Sequence, residues 1–135
     1  MKKFFSVLVL SFLMVSLLTA AAPVPNTTFT VLQGLPATMN VGDVYTVVIQ
    51  VNSDQQFISA TAMPSFFYPG KGVVAVQGGD RTGSGTSAVL SVTFKAKSAT
   101  ARMTDGVAPV HVVVGARYAG GYVATQDFVF NVLVP

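Results

Sequence analysis

Cysteine, tryptophan and glutamate are missing from this 135-residue chain, and histidine occurs once. Without cysteine there is neither a disulfide framework nor a thiolate-held metal. A single histidine also falls short of the three or four ligands that a transition-metal centre takes. Charge is scarce: 10% of residues are charged against 51% hydrophobic. Lys2 and Lys3 supply two of the three formal positive charges, and from residue 22 onward six basic residues face five aspartates, a net of +1. A nucleic-acid partner needs a dense basic stripe to displace counterions, and none exists here. Paired carboxylates for glycoside hydrolysis would have to come from five isolated aspartates, four of them in turn or loop segments.

The N-terminus is organised differently from the rest. Met1-Lys2-Lys3 precedes an apolar run over residues 4–18, then Thr19-Ala20-Ala21-Ala22 and Pro23. A basic start, an apolar run and small residues make up a signal peptide, and cleavage after Ala21 is expected because Thr19 and Ala21 are small. Residues 1–21 are then the signal peptide, 22–33 an extended N-terminal arm and first strand, and 34–135 the folded domain. The alternative is a retained anchor. The apolar run alone reaches about 22 Å as a helix against a hydrocarbon core of roughly 30 Å, and only the added alanines lengthen it enough. The expected location is secreted or at the cell surface, with no membrane span once the signal is cleaved.

Beyond residue 22 the pattern has period two, broken by turn residues about every ten positions. The first strand is expected over 28–33. The second alternates most cleanly, with Tyr45, Val47, Ile49 and Val51 on one face, and Asn52-Ser53-Asp54 closes it. A third runs over 57–67, interrupted by Pro64, and a short one over 73–77. Residues 78–86, rich in glycine, read as a mobile connector. Strands over 87–97, 110–118 and 122–134 follow, the last two joined through Ala119-Gly120-Gly121. Seven short antiparallel strands without a helix describe an all-β, immunoglobulin-like sandwich, with a small barrel or jelly roll as the alternative.

The candidate interaction residues are aromatic. Phe66, Phe67 and Tyr68 form one cluster, suited to stacking on a sugar or anchoring a protein partner, or else to filling the core. Tyr118 and Tyr122 flank the last turn and are expected to form a cross-strand pair. His111 lies opposite Val110, Val112 and Val114 and is expected at the surface, without a catalytic partner. No cofactor is expected. Calcium is the ion that loop carboxylates and carbonyls suit, with Asp80 or Asp105 contributing, although turn chemistry accounts for both. Val48, Val89, Val113, Val129 and Leu133 fall on strand faces opposite the presumed core, where a solitary sandwich usually carries charge. They point to association with further copies or with other surface proteins, unless they are ordinary strand valines. Thr28, Phe29, Thr30 and Val31, with Phe128, Val129 and Leu133, are the candidate assembly strands.

Leu35-Pro36, Val41-Gly42-Asp43 and the strand to Asp54, the Gly85-Thr86-Ser87 strand, and the closing pair over 109–118 and 122–132 together resemble bacterial Ig-like repeats of the cell-adhesion-related (CARDB) type. The Val41-Gly42-Asp43 opening and the strand over 92–97 are also similar to the cohesin sandwich, although an Asp expected before Pro69 is Tyr68 here. These resemblances imply a non-enzymatic extracellular module used in adhesion, spacing or assembly. The expected function is a structural or adhesive surface subunit, self-assembling through strand edges. A carbohydrate- or protein-binding module is the alternative.

Overall fold

A computed structural model describes residues 23–64 and 72–135 of the chain. The expected signal peptide and the Phe66, Phe67 and Tyr68 cluster lie outside these residues. Among the described residues there are six strands: β1 (Thr27–Gln33), β2 (Val44–Pro64), β3 (Val74–Gly78), β4 (Thr82–Ala96), β5 (Ala108–Arg117) and β6 (Val123–Val132). A 3-10 turn, Thr100–Arg102, lies between β4 and β5. All strand pairs are antiparallel.

Two layers arise because β2 changes partners along its 21 residues. Its first half lies between β1 and β4, with Phe29 against Val51 and Ile49 against Leu90. Its second half pairs with β5, Ala60 against Ala116 and Ala62 against Val114. The second and third expected strands are therefore one strand, and residues 52–54 do not close it. The register slips between Asn52 and Phe57 and again between Phe57 and Ala60. Such bulges bend a strand and change which residues face inward. Before the slips the buried residues are Val47, Ile49 and Val51, between them Phe57, and after them Ala60 and Ala62. Face alternation has a period of two, so one extra residue suffices to carry the core side from odd to even positions.

β4 bends at the same corner. Gly85 has φ +107°, and a Cβ at Gly83 would lie 2.8 Å from the Ala88 side chain. Residues 78–86 are thus not a mobile connector: Thr82, Gly83 and Gly85 pair with Thr61, Ala60 and Phe57. Gly79 is equally constrained, since a Cβ there would meet the Ser91 carbonyl oxygen at 2.3 Å. Glycine is used here for close approach and for a positive φ.

The core between the layers is aliphatic with a few aromatics. Leu90, Val92 and Phe94 of β4 and Val110, Val112 and Val114 of β5 are fully buried. Met39 and Val134 close one end. Thr100, a buried polar residue, donates its hydroxyl to the Val134 carbonyl and accepts the Val134 N–H, each at 3.1 Å. The chain leaving β1 crosses beside the Phe130 ring at Gly34, where a Cβ would lie 2.9 Å from it. It then lies parallel to the end of β6, with Thr38 bridged to Leu133. The first segment of the domain therefore touches both layers.

Candidate functional site

The end of the sandwich around the last turn gathers the expected tyrosines. Gly120 and Gly121 have φ +88° and +91° and close the β5–β6 turn, with Tyr118 N–H donating to the Tyr122 carbonyl at 2.9 Å. That turn sets the Tyr118 and Tyr122 rings 5.9 Å apart at 45°, the expected cross-strand pair. Tyr118 points inward and is 3% exposed, edge-on to Phe57 at 6.3 Å and 89°. Its hydroxyl donates to Ser53 Oγ at 2.8 Å and shares a hydrogen bond with Thr27 Oγ1. Tyr118 is thus a core residue tying β1 to β2 rather than a free binding face, while Tyr122 stays 43% exposed.

The arm before β1 is fastened to the same end. Gln55 Nε2 donates to the Pro23 carbonyl at 2.9 Å, and Asp54 Oδ1 accepts the Asn26 N–H at 2.8 Å. Pro23, Val24, Pro25 and Gln55, with Tyr118, Ala119, Gly120 and Tyr122, enclose a shallow cavity of about 240 Å³. Its wall is mostly apolar and lacks a charged side chain, so it offers shape and stacking, not acid–base chemistry.

Elsewhere the Asp43 carboxylate serves the backbone, whereas Asp80 contributes its own backbone N–H. Asp43 Oδ2 accepts the Asn40 N–H at 2.9 Å, and the Asp80 N–H donates to Ser91 Oγ at 2.9 Å. His111 lies on the outer face of β5, as expected, with Nδ1 2.9 Å from Asp127 Oδ2. No group of three or more His, Cys, Asp or Glu side chains that could hold a metal occurs among the described residues.

The remaining candidates lie on strand edges and outer faces. Thr28, Phe29, Thr30 and Val31 lie in β1, which pairs with β2 of its own sheet; Phe29 and Val31 lean on the core and Thr28 and Thr30 face solvent. They form an internal edge strand, not a detached arm. Phe128 in β6 packs partly against the core, while Val129 and Leu133 are 49% and 42% exposed. Val89 is exposed too, and Val48 and Val113 are half-buried. Met63, 47% exposed and directly beside Val113, extends the apolar face. Alternation could not find it, because the bulge reverses the parity of β2.

Solved structures share this fold. A cohesin module from a Clostridium perfringens family 33 glycoside hydrolase aligns over 84% of this chain and 100% of its own, at 10% identity and TM-score 0.51. The SrpA adhesin of Streptococcus sanguinis aligns over 85% of this chain at 15% identity and TM-score 0.51, and the match spans 60% of that adhesin's chain. BcpA, the major pilin subunit of Bacillus cereus, follows at 8% identity and TM-score 0.41, over 82% of this chain and 40% of its own. No protein-family model matches the sequence, and no curated protein matches it. The fold is an all-β, Ig-like antiparallel sandwich, and the CARDB type stays a likeness of short motifs.

Proposed function

We propose that this chain is a non-enzymatic, extracellular or cell-surface Ig-like subunit with an adhesive or structural role, assembling with further copies through its strand edges. The observation that carries the reading is the sparse charge on the exterior of the first layer, where Lys95 stands at the Val44 end of β4 and the rows beyond it are uncharged. Thr28, Asn52 and Ser87 lie in one row across β1, β2 and β4, and Thr30, Gln50 and Val89 in the next. Further along, Thr46 and Thr93 share a hydrogen bond at 2.9 Å, as Ser87 and Asn52 do at 2.8 Å. A sheet exterior of hydroxyls, amides and valines is inexpensive to desolvate against another protein, whereas a solitary domain usually guards such strands with lysine. The adhesin, whose sandwich this one resembles, accords with the reading. The apolar leader, if cleaved after Ala21, delivers the chain to that location.

Electron microscopy of the naturally exported protein, beside its mass and N-terminal sequence, tests this. Filaments or sheets of a chain that begins at Ala22 are the expected outcome. Dispersed monomers would overturn self-assembly and favour the second reading, a protein- or glycan-binding module centred on exposed Tyr122 and its cavity.

A further inference from the structure

β6 borders the second layer, and its outer edge is only partly used. Leu133 donates its N–H to the Ala37 carbonyl at 2.8 Å and accepts the Met39 N–H at 2.9 Å. The chain itself thus lays residues 37–39 along one end of this edge as an added strand. Hydrogen bonds alternate sides along an antiparallel strand, so an outward Leu133 fixes the direction of its neighbours. Even-numbered residues bond to β5, as the Tyr118–Tyr122 bond at the opposite end requires. The backbone groups of Val123, Thr125, Asp127 and Val129 therefore point outward, where no described strand lies.

Proteins blunt such edges with lysine, proline, a bulge or short length. β6 has ten residues in unbroken register with β5, without lysine, arginine or proline. Its one charge, Asp127, is engaged by His111.

We propose that two copies pair antiparallel along β6 about a twofold axis at Gln126, joining their second layers into one sheet. The inference rests on the self-assembly reading above and names its edge and register. With the axis at Gln126, Val123 lies opposite Val129 of the second copy, and Thr125 opposite its Asp127. Val123 and Val129 are 50% and 49% exposed and share the outer face, so each covers the other twice in the pair. The Thr125 hydroxyl meets a carboxylate acceptor. On the inner side Gln126 meets its own copy, and a side-chain amide carries both donor and acceptor. Ala124 meets Phe128, which its own domain leaves half-buried at the rim of the core. Moving the axis to Asp127 sets two carboxylates opposite one another, which is unfavourable. Moving it to Phe128 runs the new strand toward residues 34–39, where Gly34 crosses Phe130. Seven paired residues make a contact about 24 Å long, and its match of groups repeats under the twofold, as an isologous interface requires.

Sedimentation of the full chain, as its host processes it, is the test, with three variants. Thr125→Pro removes an outward donor while sparing every bond to β5, so the dimer should be lost and the thermal midpoint nearly kept. The chain has no cysteine, so Gln126→Cys should oxidise to a covalent dimer, and Asp127→Cys, off the axis, should not. Association that persists in Thr125→Pro, or cross-linking through Asp127→Cys in place of Gln126→Cys, overturns this edge and register while leaving self-assembly standing. A wild-type chain that stays monomeric at every concentration overturns both.

Discussion

Single residues in this domain earn their place by the backbone groups they satisfy. Thr100 is the clearest case. It is 1% exposed, and its hydroxyl both gives to and takes from Val134, pinning the C-terminal segment to the loop after β4. Thr100→Val keeps the shape but leaves the buried Val134 N–H without that acceptor. An unmade buried hydrogen bond costs about 1–3 kcal/mol, so urea unfolding should show a loss of that size, largely restored in Thr100→Ser. Thr100 was not legible in advance, because a threonine in a loop carries no pattern that tells a buried cap from a solvated one. Tyr118 was legible as half of a cross-strand pair but not as a core residue. Period-two alternation locates the turn, yet the inward tilt of Tyr118 depends on Phe57, Ser53 and Thr27, remote in sequence.

Among elements, the β2–β4 corner decides the architecture. Two strands bend together there, and the glycines that read as flexibility allow the backbones to meet. Gly42 and Gly79 separate the two demands on glycine. Gly42 has φ +95°, and a Cβ added there would meet nothing within 4 Å, so Gly42→Ala meets only the conformational penalty, about 1–2 kcal/mol. Gly79 has φ +128° and the Ser91 carbonyl oxygen 2.3 Å from where a Cβ would sit. Gly79→Ala should therefore lower the thermal midpoint considerably more than Gly42→Ala; equal effects would mean that the chain after β3 relaxes freely. β5 was readable almost residue by residue, since its buried Val110, Val112 and Val114 alternate with outward Pro109, His111 and Val113. β2 was not, because a bulge adds one residue without any compositional mark, and every later position then changes face.

For the whole molecule, the balance of groups at the exterior predicts how it associates. Apart from Lys95 at one end, the first layer shows hydroxyls, amides and valines, and the open edge of β6 carries a single aspartate already engaged by His111. Charge pairing thus contributes little, and salt acts on association chiefly by screening charges. The self-association constant measured by sedimentation should change by less than about threefold between roughly 0.01 M and 1 M sodium chloride, conditions over which the Debye length falls from about 30 Å to about 3 Å. A steep loss of association with salt would place the contact on the charged residues Lys95, Lys97, Arg102 or Arg117 instead.

Residue order and composition were enough to set the class of this protein: an all-β domain behind a leader-like segment, lacking cysteine and dense charge. They sufficed because composition and alternation record which side of each strand avoids water. Folding in three dimensions settled the rest: which strands are neighbours, where β2 passes between layers, and which edge is left open. Those outcomes depend on backbone hydrogen bonds, which every residue but proline can both give and accept, so no residue type announces them. Val129 is the same valine whether another strand lies beside it or water does.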